Sequence, residues 1–390
     1  MADTSIEWTD KTWNPIRGCS RVSDGCTRCY AEGQAHRFSG PGKPYEGLTK
    51  MTSHGVAWTG KVITVPEMLG VPLQWKKPAR IFVNSMSDLF HESIPEKFIA
   101  EVFGVMAVCG AREPGDPERG GQFGGKYSKK RGWHNLKGPH TFQVLTKRPE
   151  RMHSLLTSSR FREAVASAAY RWAHNQRDAG YLAHQIGQRE EYARCYPPGR
   201  MWPLSNVWLG VSVEDQATAD ERIPLLLQTP AAVRWISAEP LLGPIDFEAL
   251  PCGDALHTCE GCRDTGVDDG TPCTLCAGLG RLHWVVTGGE SGPKARPSHP
   301  DWFRSLRDQC AAAAVPFLFK QHGAWVQCDT EVHADERGHE VYPREESLLD
   351  TLPPDRKYTV IEAHGAEFMK LGKKTAGRTL DGRTHEEYPA

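Results

Sequence analysis

Trp8-Thr9-Asp10-Lys11-Thr12-Trp13-Asn14-Pro15-Ile16-Arg17-Gly18-Cys19 runs on to Cys26 and Cys29, and the reading of this stretch decides the fold. The three cysteines stand in C-x6-C-x2-C spacing, in a loop of small and polar residues that includes Gly18, Ser20, Ser23, Asp24, Gly25 and Thr27. A helix-compatible run from Tyr30 to His36 follows. Three thiolates on one loop can hold one soft metal centre. A structural zinc ion takes four protein ligands, so zinc here needs a distant residue to complete it. A 4Fe-4S cluster is held by thiolates at varied spacings, and three of them leave one iron open to another ligand. The cysteine spacing by itself admits both readings.

Downstream the pattern becomes regular, with short apolar runs that each end in a small or polar cluster. Arg80-Ile81-Phe82-Val83 ends in Asn84-Ser85-Met86-Ser87-Asp88, and Phe142-Gln143-Val144-Leu145 ends in Thr146-Lys147-Arg148. Val207 to Val211 ends in Ser212-Val213-Glu214, and Val233 to Ile236 ends in Ser237-Ala238-Glu239-Pro240. His283 to Val286 ends in Thr287-Gly288-Gly289-Glu290-Ser291, and Pro316 to Phe319 ends in Lys320-Gln321-His322. Short β-branched and aromatic runs of this kind suit buried parallel strands. Helix-like segments over 95–108, 149–176, 216–227 and 300–314 separate most of them. Strand–helix alternation predicts an α/β fold with a parallel sheet or barrel. Chemistry in such folds collects at the C-terminal ends of the strands. With a first strand over 12–18, the three cysteines share that rim with all six polar clusters.

Cys259-x2-Cys262 and Cys273-x2-Cys276 form a second metal pattern, set among Gly261, Gly266, Gly270, Gly278 and Gly280. Two such knuckles supply four thiolates for one tetrahedral zinc ion, and the glycines permit the tight turns. The segment has too few apolar residues to fold alone, so zinc binding and folding are expected to be coupled. A second iron–sulfur cluster and an unmetallated loop are the alternatives.

Glu7-Trp8-Thr9, Thr12-Trp13-Asn14-Pro15, Gly18-Cys19 and Gly25-Cys26-Thr27-Arg28-Cys29-Tyr30 together resemble the radical S-adenosylmethionine (SAM) superfamily. More specifically they resemble a phage and bacterial family with a three-cysteine motif. The spacing departs from the superfamily's usual C-x3-C-x2-C, and Arg28 stands where many members carry an aromatic residue. The resemblance implies a partial (β/α) barrel of the radical-SAM type over residues 1–328. Insertions at 110–140 and 157–205 and a zinc ribbon at 251–281 interrupt it, and a C-terminal extension, 329–390, follows.

The resemblance also implies an activity. Cys19, Cys26 and Cys29 would hold a 4Fe-4S cluster that cleaves SAM to a 5′-deoxyadenosyl radical. Ser85, Ser87 and Asp88 match the position of the SAM amino-group motif, although an N-cap would use the same residue types. Lys147 and Arg148 are candidates for the SAM carboxylate or a substrate phosphate. Ser212 and Glu214 lie where a ribose contact is expected. Glu239, Gly288, Gly289 and Glu290 are candidates for the SAM or substrate pocket, with Lys320 and Gln321 beside them. Each is also compatible with a cap or a structural ion pair.

Basic stretches around Lys126, Lys129, Lys130, Arg131 and Trp133, and around Arg160, Arg162 and Arg171, suit a phosphate backbone, as they suit a solvated face. With the zinc knuckles they favour a nucleic acid, DNA or RNA, or a nucleobase as substrate, for modification or for repair of the photoproduct-lyase kind. The alternatives are a radical-SAM enzyme acting on a peptide or small metabolite, and a non-catalytic zinc-dependent nucleic-acid-binding protein. The radical chemistry also implies an electron donor such as flavodoxin or ferredoxin, and leaves room for a partner protein.

The remaining bounds are broad. Formal net charge is -1, so no global basic field argues for nucleic acid. Twelve cysteines, most of them in metal-type spacings, indicate metal sites rather than disulfides. Cys109, Cys195, Cys252, Cys310 and Cys328 read as isolated thiols. The N-terminus shows no signal-peptide pattern, and the most apolar stretch, 98–111, is too short to span a bilayer. A cytoplasmic protein without a membrane segment is expected.

Overall fold

The computed structural model describes residues 4–110, 140–173, 186, 201–256, 267–268, 271–272, 280–328, 333–334, 340–341, 352 and 358–389. The four cysteines Cys259, Cys262, Cys273 and Cys276 lie outside the described residues, as do Cys195 and the basic stretch around Trp133.

Seven strands form one sheet: β1 (Lys11–Trp13), β2 (Arg80–Val83), β3 (Thr141–Thr146), β4 (Val207–Val213), β5 (Val233–Ala238), β6 (Trp284–Thr287) and β7 (Phe317–Phe319). Their order in the sheet is their order in the chain. β1 to β4 pair in parallel, with Trp13 opposite Val83, Val83 opposite Val144 and Val144 opposite Leu209. β5, β6 and β7 also pair in parallel, with Ile236 opposite Val285 and Val285 opposite Phe317. A doubly wound sheet reverses its strand order at a switch point. This one does not, and its connectivity is that of a (β/α) barrel segment. The fold is therefore mixed α/β with a parallel sheet, compatible with a partial barrel.

Six helices matter for the architecture: α1 (Tyr30–His36), α2 (Glu96–Gly110), α3 (Pro149–Thr157), α4 (Ser159–Trp172), α5 (Gln216–Gln228) and α6 (Pro300–Ala312). α2 is buried almost all round from Ile99 to Cys109, as a helix without a polar face must be. Among the described residues, no helix is long and apolar enough to cross a membrane.

The chain divides into two compact units. The first comprises Met1–Val22, Ala31–Val211 and Gln228–Arg234. Its core sets Trp13 against Phe142 and Phe103 against Phe161. The second comprises Ser23–Tyr30, Ser212–Leu227 and Trp235–Ala390. Here Trp235 packs on Trp284, Trp284 on Tyr388 and Phe303 on Phe319. After β7, Trp325–Gln327 joins Ala366–Lys370 and Val360–Ala363 in a three-stranded antiparallel sheet. The last residues then run beside β7. The Phe319 amide donates to the His385 carbonyl at 3.1 Å, and Trp284 Nε1 donates to the Glu387 carbonyl at 2.8 Å. They thereby occupy the edge that β7 would otherwise present.

Two expectations shift. The first strand spans Lys11–Trp13, not 12–18. Pro15 has no N–H for a ladder, so the chain leaves the sheet after Asn14. Ile16–Arg17 then pairs antiparallel with Ile63–Thr64. The long helix expected over 149–176 is two helices within the described residues. Ser158 adopts extended backbone between them, and its side chain caps α4 by accepting from the Phe161 amide.

Candidate functional site

In the first unit the polar run after β2 folds onto the chain that leaves β1. The Asn84 amide donates to the Trp13 carbonyl at 2.8 Å, and Asn14 exchanges hydrogen bonds with Ser85 and receives one from the Met86 amide. The Ser87 hydroxyl donates to the Ile16 carbonyl at 2.9 Å, and Ser87 pairs with Gly18 in a parallel bridge. Gly18 has φ of 87°, and a Cβ there would run into the Lys61 carbonyl oxygen. Only glycine passes that point without strain. It delivers the chain to Cys19.

Asp88 is buried and saturated with donors. It accepts from the Phe90 amide at 2.9 Å, the Thr146 hydroxyl at 2.8 Å, the Lys147 amide at 3.1 Å and Arg148 Nη1 at 3.1 Å. Arg148 reaches on to Ser20, donating from Nη2 to its carbonyl at 3.2 Å and to its hydroxyl at 2.8 Å. Burial alone would lower the Arg148 pKa, but Asp88, Cys19 and Glu92 hold it above the usual guanidinium value. His91 Nδ1 accepts from the Ser93 amide at 3.2 Å, so its proton sits on Nε2, 2.8 Å from the Ser20 hydroxyl. That hydroxyl accepts from two donors and keeps its own hydrogen to give. The ends of β1, β2 and β3 are thus knitted around the Cys19–Ser20 peptide.

In the second unit the segment Ser23–Tyr30 carries Cys26 and Cys29. Ser23 donates to Glu214 Oε1 at 3.0 Å, just past β4. Glu214 also accepts from Arg222 Nη1 at 3.2 Å, and both side chains are almost fully buried. Past β6, Glu290 accepts from the Arg296 side chain at 2.7 Å and 3.0 Å, with Arg28 3.6 Å away. Arg296 also donates to the Asp24 carbonyl at 3.1 Å. Glu239, past β5, pairs with Lys320 at 3.0 Å and accepts from Ser237 at 3.0 Å. Ser212 is buried, with its hydroxyl 3.4 Å from the Glu239 carbonyl. Gly288 donates to the Ala238 carbonyl, and Gly289 to the Gln321 carbonyl at 2.9 Å. A Cβ on Gly289 would run into the His322 carbonyl, so the close approach there is by the chain's own backbone.

Cys19, Cys26 and Cys29 are half-buried thiols. Among the described residues, no group of three or more His, Cys, Asp or Glu is gathered as a metal site. Cys109 and Cys310 are buried, and burial pushes both thiols up, away from thiolate character. A short antiparallel hairpin, Val267–Asp268 with Thr271–Pro272, falls between the two Cys-x2-Cys pairs. On α4, Arg171 and Trp172 Nε1 both bind Glu101 of α2, which commits them to helix packing.

The residues not anticipated from sequence are Asn14, Ser20, His91, Arg222 and Arg296. Asn14 had a signal, since it is a polar residue at a strand end like the others. Arg222 and Arg296 follow their glutamates within the same βα segment, which a search for paired charges would have found.

A model of a protein family of unknown function, DUF5131, matches residues 3–113 and 134–389. No curated protein and no solved structure matches the chain.

Proposed function

The chain belongs to the DUF5131 family, and we propose that it is a radical-SAM enzyme whose substrate is a nucleic acid or a nucleobase. One observation carries the reading. Both parts of the cysteine loop are tied to residues at the C-terminal ends of parallel strands. Ser20, next to Cys19, is held by Arg148 past β3, and Ser23, near Cys26, is held by Glu214 past β4. A zinc staple would not need such placement, whereas a centre that meets substrate would.

By its chemistry the donor set suits an iron–sulfur cluster, with three thiols from one loop and the Arg148 guanidinium coupled in charge to Cys19, although the three thiols are not gathered as a metal group here. Cys19, Cys26 and Cys29 would hold the cluster. When bound, it would supply the electron that cleaves SAM reductively. The chain's own part is orientation and exclusion of water. Asp88 fixes Arg148, and Arg148 and His91 fix the Ser20 hydroxyl on the residue next to Cys19. Glu214 and Glu290 fix the remainder of the loop through Ser23, Arg28 and Arg296. Ser85, Ser87, Lys147, Ser212, Glu239, Gly288 and Gly289 stand at strand ends and are the positions proposed for SAM and substrate. The ribbon cysteines would hold one zinc ion, with the hairpin between the knuckles as its scaffold.

Anaerobic reconstitution with iron and sulfide tests the reading. A brown protein that forms 5′-deoxyadenosine from SAM on reduction, and loses both properties in Cys26→Ala, is expected. A colourless protein that takes up only zinc at both cysteine sets would favour the non-catalytic nucleic-acid-binding reading.

A further inference from the structure

Six large hydrophobic side chains are strongly exposed among the described residues, and two of them, Phe38 and Met51, lie between residues 31 and 61. Phe38 is 53% exposed and Met51 65%. Isolated exposed apolar side chains need no explanation, but a concentration of them marks a contact surface.

The same stretch is basic. Between residues 31 and 61 the exposed cations are Arg37, Lys43, Lys50 and Lys61. The carboxylates there are Glu32 and Glu46. Glu32 is buried and bound by Arg21 at 2.6 Å, and Glu46 accepts from the Gly42 amide at 2.7 Å. In a chain of formal net charge -1, this is a local positive field with no acidic counterpart of equal weight.

Residues 31–61 are also stitched together within the first unit. α1 is stitched to the hairpin Thr49–Thr52/Gly55–Trp58, with His36 Nδ1 3.0 Å from the Thr49 hydroxyl and the Trp58 amide donating to Glu32 at 3.1 Å. The loop between them is closed by the Tyr45 amide on the Phe38 carbonyl at 3.0 Å, and Arg17 lies over the Tyr45 ring. Phe38 and Met51 are thus held outward by a built scaffold.

Along the chain, cations alternate with apolar surfaces: Arg37 beside Phe38, and Lys50 beside Met51. Cations with apolar or stacking surfaces beside them are what a single strand requires. An acidic protein would need the charge, whereas an exposed phenyl ring beside a cation suits a base that stacks. We infer that the lobe formed by residues 31–61 is a binding surface for single-stranded nucleic acid. The inference deepens the proposed function and rests on its substrate class, and it moves the binding surface from the basic insertions to the segment that follows the cysteine loop.

The test is fluorescence anisotropy of the full chain with a labelled single-stranded oligonucleotide, titrated over a range of salt. The combined Arg37→Glu, Lys43→Glu and Lys50→Glu variant should bind at least about tenfold more weakly. Its slope of log affinity against log salt should shrink by about two, at roughly 0.7 for each phosphate no longer neutralised. Phe38→Ala should weaken binding about fivefold or more with the slope unchanged, because stacking is not screened. All four positions are exposed, and an unchanged circular dichroism spectrum and melting midpoint show that the fold survives. Lys76→Glu with Lys77→Glu, exposed but outside the lobe, should leave affinity within about twofold. Failure of the wild type to bind overturns the inference. So does equal weakening by the Lys76 and Lys77 control, or a Phe38→Ala variant that binds as tightly as the wild type. Formation of 5′-deoxyadenosine is read separately, so radical chemistry without lobe-dependent binding sinks only this inference. Lobe-dependent binding without that product sinks only the radical-SAM reading.

Discussion

Ser23 donates its hydroxyl to Glu214 at 3.0 Å while Glu214 serves as the partner of Arg222, with side chains 3% and 1% exposed for Arg222 and Glu214. The cysteine loop is therefore anchored to a buried ion pair rather than to a solvated side chain. The two contacts should separate by mutation. Glu214→Ala strands Arg222 without its carboxylate and is expected to cost about 3–5 kcal/mol. Ser23→Ala removes the hydrogen bond to Glu214 and a long contact to Cys26 Sγ at 4.0 Å, and should cost about 1 kcal/mol. Urea unfolding of both variants checks the ranking. Equal losses would show that the loop's hydrogen bond, not the ion pair, carries the stability.

Asp88 is the corresponding anchor in the first unit. Its oxygens accept from two backbone amides, Thr146 and Arg148. Asp88→Ala should destabilise by about 3–5 kcal/mol, because it removes the buried carboxylate of Arg148 and leaves only the exposed Glu92 to meet it. Arg148→Lys should be milder for stability but should release Ser20, since an ammonium lacks the planar fork that reaches Asp88, Glu92 and Ser20 together. After reconstitution, Arg148→Lys is expected to hold less iron per chain than the wild type at equal folded fraction. Full iron content would remove Arg148 from the role proposed for it.

Gly289 illustrates how far the sequence could be read. Its position after a strand was legible, because Trp284-Val285-Val286-Thr287 is an apolar β-branched run with a glycine pair behind it. What approaches it was not, because His322 comes from beyond the next helix and strand. The same division holds elsewhere. Ile81-Phe82-Val83 announced a buried strand, and the missing N–H of Pro15 is a local signal for the observed end of β1. The pairing of Glu239 with Lys320 joins two strand ends distant in the chain, and no local pattern encodes it. Ser158 looked like one more residue of a long helix, since serine caps or continues a helix according to its backbone. Gly289→Ala forces a Cβ onto a carbonyl oxygen of packed backbone and is expected to cost about 1–3 kcal/mol or more. A melting midpoint equal to the wild type would show that the backbone around His322 yields to an added methyl group.

The zinc proposal has its own readout. Purified chain should carry one zinc per molecule at the ribbon, and a chelator should remove it together with protection of residues 251–281 from proteolysis. Cys262→Ser should lose the zinc while leaving the iron taken up on reconstitution unchanged. Loss of both metals together would mean that the two cysteine sets are not independent.

His140 gives a prediction in pH. It is buried, its ring lies 3.3 Å from the Trp75 carbonyl through Nε2, and among the described residues no hydrogen-bond partner meets its buried Nδ1. Burial lowers its pKa, and Lys11 adds to the shift. Protonation would place a second N–H on the nitrogen that has no hydrogen-bond partner among the described residues, and the backbone of Trp75 and Pro72 only partly offsets the shift. The unfolded chain, with an ordinary imidazole near 6.5, therefore binds more protons than the folded chain just below that pH. Stability is then greatest above about pH 6.5 and declines as the pH falls through the window beneath it. His91 and His385 are shifted in the same direction, chiefly by burial, and add to the decline. The urea midpoint should fall between about pH 7.5 and about pH 5.5, and His140→Phe, which keeps an aromatic ring beside Trp75 and Phe142, should show a smaller fall. A midpoint that rises on acidification would contradict the assignment of His140 as a neutral, buried side chain.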